Sequence, residues 1–219
     1  IFAWEPQKSS YFAILPRYGR AQDVIFIEHP ATYGMHTVNA YESGDELILD
    51  MMEMGDIPHD VVAFANDEQI FPNYLTRWRL NLKTRALHKD TLHPLNMEFP
   101  RIDERLIGQK HRHIYAASLF CGKPSYEFDS IMHVDAVTGK GVLHAFGEDQ
   151  SPHEPIFVPK HPDSKEGEGF LLTYVCHKST HRSDLVILDA QHVDQDPLAV
   201  VELPHAVPFG FHGSWVPHM

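Results

Sequence analysis

An all-β fold is what this sequence predicts, on three observations. Apolar and polar residues alternate with period two in several short runs, most strictly over Tyr74-Leu-Thr-Arg-Trp-Arg-Leu-Asn-Leu82, the pattern of a strand with one buried face. Short clusters rich in glycine, proline and aspartate separate these runs. No window carries a convincing 3.6-residue amphipathic period, apart from a weak helical candidate between Met52 and Asn66.

Taken in order, the apolar run inside Trp4 to Arg20 stops at Pro16 and Gly19 and reads as a strand between loops. Met35 to Tyr41 and Glu46 to Met54 flank Glu42-Ser-Gly-Asp45, which has glycine where a hairpin loop needs it. Tyr74 to Leu82 turns at Lys83-Thr-Arg85 toward a partner over Ala86 to His93. His113 to Phe120 is a strand, and Ser130 to Asp135 pairs with Lys140 to Phe146 across Val137-Thr-Gly139. Glu154 to Pro159 is short and bounded by proline. Phe170 to His177 and Asp184 to Asp189 flank Lys178-Ser-Thr-His-Arg182, and Leu198 to Leu203 closes the series. The result is roughly ten to thirteen antiparallel strands at about 45 to 50 residues per group of four, a spacing that suits propeller blades. A β-sandwich or jelly roll would give a similar strand list.

Composition narrows the function. Of 219 residues 43% are hydrophobic, enough for the core of one ordinary domain. The net charge of −12 argues against a nucleic-acid partner, whose phosphates need a basic face. Cys121 and Cys176 lie far apart, which indicates neither a disulfide framework nor a zinc site and places the protein in a reducing, cytoplasmic setting. No apolar run approaches the roughly 18 residues of a membrane span. Nucleophile-elbow, zincin, P-loop and dinucleotide motifs are all missing. The chain opens at Ile1 inside a hydrophobic segment, so a front half is expected to be absent from it.

Two histidines stand in loops or strand starts suited to holding a ligand. His212 lies in Pro208-Phe-Gly-Phe-His-Gly-Ser-Trp-Val-Pro217, where glycine allows close approach and proline stiffens the loop. A turn with a buried histidine explains that stretch equally well. His36 lies in Tyr33-Gly-Met-His-Thr-Val-Asn-Ala-Tyr-Glu42 at a strand start, where an ordinary packed histidine is the commoner reading. Likewise Glu98, in Met97-Glu-Phe-Pro-Arg-Ile-Asp103, and Glu154, in His153-Glu-Pro-Ile-Phe-Val-Pro159, read as loop carboxylates placed directly before apolar segments. His111-Arg-His113 reads as a solvated pair on one strand face.

Together these four stretches resemble, in order, motifs of the carotenoid cleavage oxygenases. The resemblance implies a seven-bladed β-propeller of which residues 1–219 supply roughly the C-terminal four blades of a single domain. It implies Fe(II) held by four histidines, His36 and His212 here and two more from the missing N-terminal half. Glu98 and Glu154 would orient the ligating imidazoles, while Asn39 and Glu42 would brace the β-hairpin that carries His36. No carboxylate would touch the metal, so the site keeps its full divalent charge. The implied activity is that of a non-haem iron dioxygenase, splitting a conjugated double bond of a carotenoid, apocarotenoid or stilbene with O2 into two carbonyl products. Tyr33, Phe209, Phe211 and Trp215 are candidates to line the apolar substrate path, and a lipophilic substrate allows weak contact with a membrane surface. The alternative is a non-catalytic propeller that binds partners without iron.

Overall fold

The computed structural model describes residues 4–54, 73–119 and 128–217. Among them are fifteen strands, two short 3-10 turns and no α-helix. All strand pairing is antiparallel, and no described helix is long and apolar enough to cross a membrane.

The strands form four sheets. β1 (Ser10–Ile14) pairs with β2 (Ile25–His29). The second sheet is a meander of β3 (Tyr33–Ser43), β4 (Glu46–Met54), β5 (Asn73–Asn81) and β6 (Leu87–His93). The third is a meander of β7 (Met97–Arg101), β8 (His113–Ser118), β9 (Ser130–Asp135) and β10 (Gly141–Ala145). In the fourth, β13 (Gly169–His177) lies between β14 (Arg182–Asp189) and two short strands, β11 (Gln150–Pro152) and β12 (Ile156–Pro159), while β15 (Ala199–Glu202) forms the far edge.

Period-two alternation dictates how the sheets stack. On β4, Leu47, Leu49 and Met51 point toward Phe12, Ile14 and Ile27 of the first sheet, while Met52 joins Met97, Ile114 and Met132 on the other side. β8 is buried on both faces: Ile114 and Ala116 enter that second core, and Tyr115 and Ala117 enter a third with Phe157, Leu171, Val175 and Leu188. Each sheet therefore packs on its neighbours in chain order, as face-to-face packing of half-buried strands requires. The odd-numbered side chains of β13 face this core, and Leu172 and Tyr174 face the C-terminal segment.

Three strands run where the sequence reads as loop. β2, β7 and β11 are short; β7 contains Pro100 and β11 ends at Pro152, and proline weakens a strand reading. The helical candidate over residues 52–66 ends differently, since Met52 to Met54 finish β4; its remainder, like Cys121, lies outside the described residues.

A buried polar seam joins the second and third sheets. Asp50, with a fully buried side chain, accepts two bonds from Arg77, at 2.7 and 2.6 Å, and Arg77 Nη1 also donates to the Ala136 carbonyl at 3.2 Å. His111 Nε2 sits 3.0 Å from the same carboxylate, and His111 Nδ1 lies 3.1 Å from Asn39 Nδ2. His111 is thus buried ahead of β8, and not part of a solvated pair, because Asp50 and Asn39 give its ring polar partners inside. His113 turns elsewhere and meets His133 at 2.8 Å. Asn39 does not brace its own hairpin: it donates to the carbonyls of Leu106 and Gln109 and accepts from Gly108 N–H, fixing the 104–111 loop of the next sheet.

Burial pushes the Asp50 carboxyl up, but the Arg77 guanidinium and His111 outweigh it and hold the group below its usual range. The stability it contributes is present above about pH 4 and lost as pH falls through the depressed value. Replacing Arg77 with leucine strands that charge, and we expect a loss of about 3–5 kcal/mol in denaturant unfolding of the intact protein. In the Asp50→Asn background the same change should cost markedly less, since the two groups form one coupled unit.

Candidate metal centre

His36 and His212 are 176 positions apart in sequence, yet their Nε2 atoms face each other at 3.2 Å. The rings meet nearly edge to face, with centroids 4.9 Å apart. His36 reaches this position through a bulge in β3. Gly34 pairs with Glu53 and Thr37 with Met51, so one extra residue of β3 is accommodated between them, and such a bulge re-aims a side chain. Gly34 permits the close approach: a Cβ there would stand 2.0 Å from Met51 Cε.

Each imidazole has a carboxylate behind it. His36 Nδ1 lies 2.6 Å from Glu98 Oε2, and His212 Nδ1 lies 3.1 Å from Glu154 Oε1. Both glutamates are buried, at 8% exposure each. Glu98 stands within β7, not ahead of an apolar segment, and accepts from Asn73 Nδ2 at 2.9 Å and from Phe99 N–H at 2.5 Å. Glu154 sits in the link between β11 and β12 and accepts from Gly213 N–H at 2.8 Å.

The chemistry of the donor set follows from these contacts. An ionised carboxylate only accepts, so each Nδ1 carries a proton and each neutral ring presents a lone pair at Nε2. Two lone pairs aimed at each other repel unless a cation lies between them. A proton can serve, and the Glu98 hydrogen bond, against the effect of burial, holds the His36 pKa above its ordinary value. A metal ion also fits: adjacent nitrogen ligands on bonds of about 2.1 Å stand roughly 3 Å apart. Among the described residues no cluster of three or more histidine, cysteine or acidic groups is arranged to hold an ion, so this chain presents two ligands.

The surroundings contain groups that sequence reasoning overlooked. Phe99, at φ 54°, occupies the left-handed region, an uncommon conformation for a bulky residue and one that clusters at functional sites. Its ring touches those of His36, His212 and Phe211, with centroids 5.3, 5.8 and 6.3 Å away. Arg101 Nη2 donates to the Gly213 carbonyl at 2.9 Å and so ties the C-terminal segment to β7. Arg101 was visible in the Glu-Phe-Pro-Arg motif, but its tie to Gly213 was not, and nothing in the sequence marks Asn73. A cavity of about 360 Å3 opens beside the pair, between the outer face of β13–β14 and residues 207–215; Phe211 and Trp215 line it along with His212 and Glu154. Phe209 stacks edge-on against His153 at 5.0 Å, and Tyr33 begins β3 opposite Met54, away from that lining. Glu42 is exposed near the far end of β3.

The family model described as retinal pigment epithelial membrane protein matches residues 1–217. The chain belongs to this family of carotenoid oxygenases. Within the family, the chain is 33% identical over 231 residues to isoeugenol monooxygenase of Pseudomonas nitroreducens, covering 99% of this chain and 48% of that protein. It is 32% identical over 229 residues to carotenoid 9,10(9',10')-cleavage dioxygenase 1 of Arabidopsis thaliana, covering 99% and 42%. Among solved structures, cobalt-substituted Synechocystis ACO superposes with a TM-score of 0.90 at 27% identity, over 99% of this chain and 46% of that one. The chain thus spans about half the length of these family members.

The Glu98 contact makes a testable demand on His36. In Glu98→Gln the acceptor loses its charge, so the His36 ring should titrate at lower pH than in the parent protein. NMR of the ring protons across pH in metal-free protein measures this, and an unchanged midpoint would contradict the hydrogen bond.

Proposed function

We propose that this chain is part of a non-haem iron oxygenase that cleaves a conjugated carbon–carbon double bond with O2 into two carbonyl products. The observation that carries this reading is the facing pair of Nε2 atoms with a buried carboxylate behind each ring. The family relatives named as carotenoid and isoeugenol oxygenases supply the class of chemistry, and the cobalt-substituted relative supports a transition metal at such a site. In this reading His36 and His212 hold Fe(II), and two further histidines come from the half of the family's length that this chain does not span. The four described sheets are then the C-terminal blades of a seven-bladed propeller.

Bound ferrous iron would supply the redox chemistry that activates O2. The contribution of the chain's own residues is positioning. Glu98 and Glu154 fix the tautomer and ring angle of the two imidazoles and raise their basicity toward a cation. Asn73, Phe99 N–H and Gly213 N–H in turn hold the carboxylates. Phe99 and Phe211 exclude water on the apolar side, and Phe209, Phe211 and Trp215 belong to the path of an apolar, conjugated substrate, with Tyr33 at its margin.

His36→Ala and His212→Ala should each abolish iron retention and turnover, while Glu98→Gln and Glu154→Gln should weaken both by about 10- to 100-fold. Metal analysis of the intact protein after anaerobic Fe(II) reconstitution is the check. About one iron per protein is expected; none would favour a non-catalytic propeller that binds partners without metal.

A further inference from the structure

The cavity beside the histidine pair contains one polar side chain whose purpose the metal reading does not use. Its walls are largely apolar, formed by Leu172, Leu185 and Val207 and by the rings of Phe211 and Trp215. His153 is the exception. It lines the cavity, is 8% exposed, and its Nε2 is shielded from solvent with no hydrogen-bond partner among the described residues. A buried donor or acceptor left in that state is destabilising unless something in the cavity pairs with it.

The ring is held for such a role. Its backbone is pinned on both sides, with His153 N–H donating to the Tyr174 carbonyl and Thr173 Oγ1 donating to the His153 carbonyl. Phe209 and Tyr174 lie edge-on to the imidazole, at 5.0 and 6.4 Å. Glu154, the other buried polar group at the wall, is engaged by His212 and Gly213 and does not compete for it.

We propose that this cavity binds a small hydroxylated aromatic molecule whose hydroxyl group pairs with His153 Nε2. A hydroxyl both donates and accepts, so it satisfies the ring in either tautomer, whereas a carbonyl or an ammonium satisfies only one. Flat walls of Phe211, Trp215 and Tyr174 favour an aromatic body, and the volume lies at the small end of ligand pockets. Burial also lowers the His153 pKa, so at neutral pH the ring is uncharged and suits a neutral hydroxyl better than a carboxylate. Because His212 and Glu154 share the wall, a ring seated here lies against the histidine pair; the inference thus rests on the proposed oxygenase reading and assigns part of its substrate class.

The experiment is anaerobic isothermal titration calorimetry on the intact protein, with 4-vinylphenol and its methyl ether as probes. The phenol should bind about tenfold more tightly than the ether, the value of one well-made hydrogen bond. His153→Phe, which replaces an unpaired imidazole by an apolar ring and should fold normally, should erase that preference by weakening the phenol, and His153→Gln should keep part of it. Equal binding of the two probes, binding of neither, or an unchanged preference in His153→Phe would each overturn the proposal. Iron content separates the two readings: a phenol preference without iron retention sinks the oxygenase and not this site, and iron retention without the preference does the reverse.

Discussion

The arrangement around which this molecule makes sense is a repulsion that has been built in and stabilised. Two neutral imidazoles present lone pairs to each other at 3.2 Å, and their tautomers are fixed by buried carboxylates with no freedom to reverse. Such a geometry has no place in an ordinary core, where a second tautomer would convert the contact into a simple hydrogen bond. It requires a positive charge at the meeting point. Much of the local structure serves that requirement: the bulge that brings His36 inward, the left-handed Phe99 that follows Glu98, and the amide of Gly213 that captures Glu154.

Sheet stacking provides the rigidity. The pair draws on β3, β7, the β11–β12 link and the C-terminal segment, which are elements of three sheets and a loop. Their relative placement depends on β8 being apolar on both faces and on the Asp50–Arg77–His111–Asn39 seam. A site assembled from such distant pieces of sequence tolerates little slippage, since an error of about 1 Å in ligand placement is costly to function. Buried, saturated polar contacts between sheets resist it better than apolar packing alone, because they have direction.

Much of this was legible in the residues, and the exceptions have physical causes. Long alternating strands such as β4, β5, β13 and β14 announced themselves within a residue or two, because one buried face imposes the period. β2, β7 and β11 did not: they are short, and β7 and β11 carry proline, so their pairing comes from neighbours and not from their own pattern. The four residues of the histidine–carboxylate arrangement were identified by motif and are brought together in space. Asn39, His111 and Arg101 were misread or passed over, because the partners of a buried polar side chain lie in other sheets and leave no trace in local spacing. His153 escaped notice for the same reason, being read only as the neighbour of Glu154.

The C-terminal segment has a consequence of its own. Residues 203–217 carry little regular structure and rest on the body through a few points: Gly213 held by Arg101 and Glu154, Val207 N–H on Ser183 Oγ, and the ring of Phe211 on Phe99. One of those points, His212, is also half of the pair, with a side chain 53% exposed. Whatever cation occupies the meeting point therefore also fastens this segment, and by reciprocity anything that seats the segment raises affinity for the cation. Assembly of the centre and closure of the chain's end are one equilibrium, so the last ligand behaves as a latch as much as a donor.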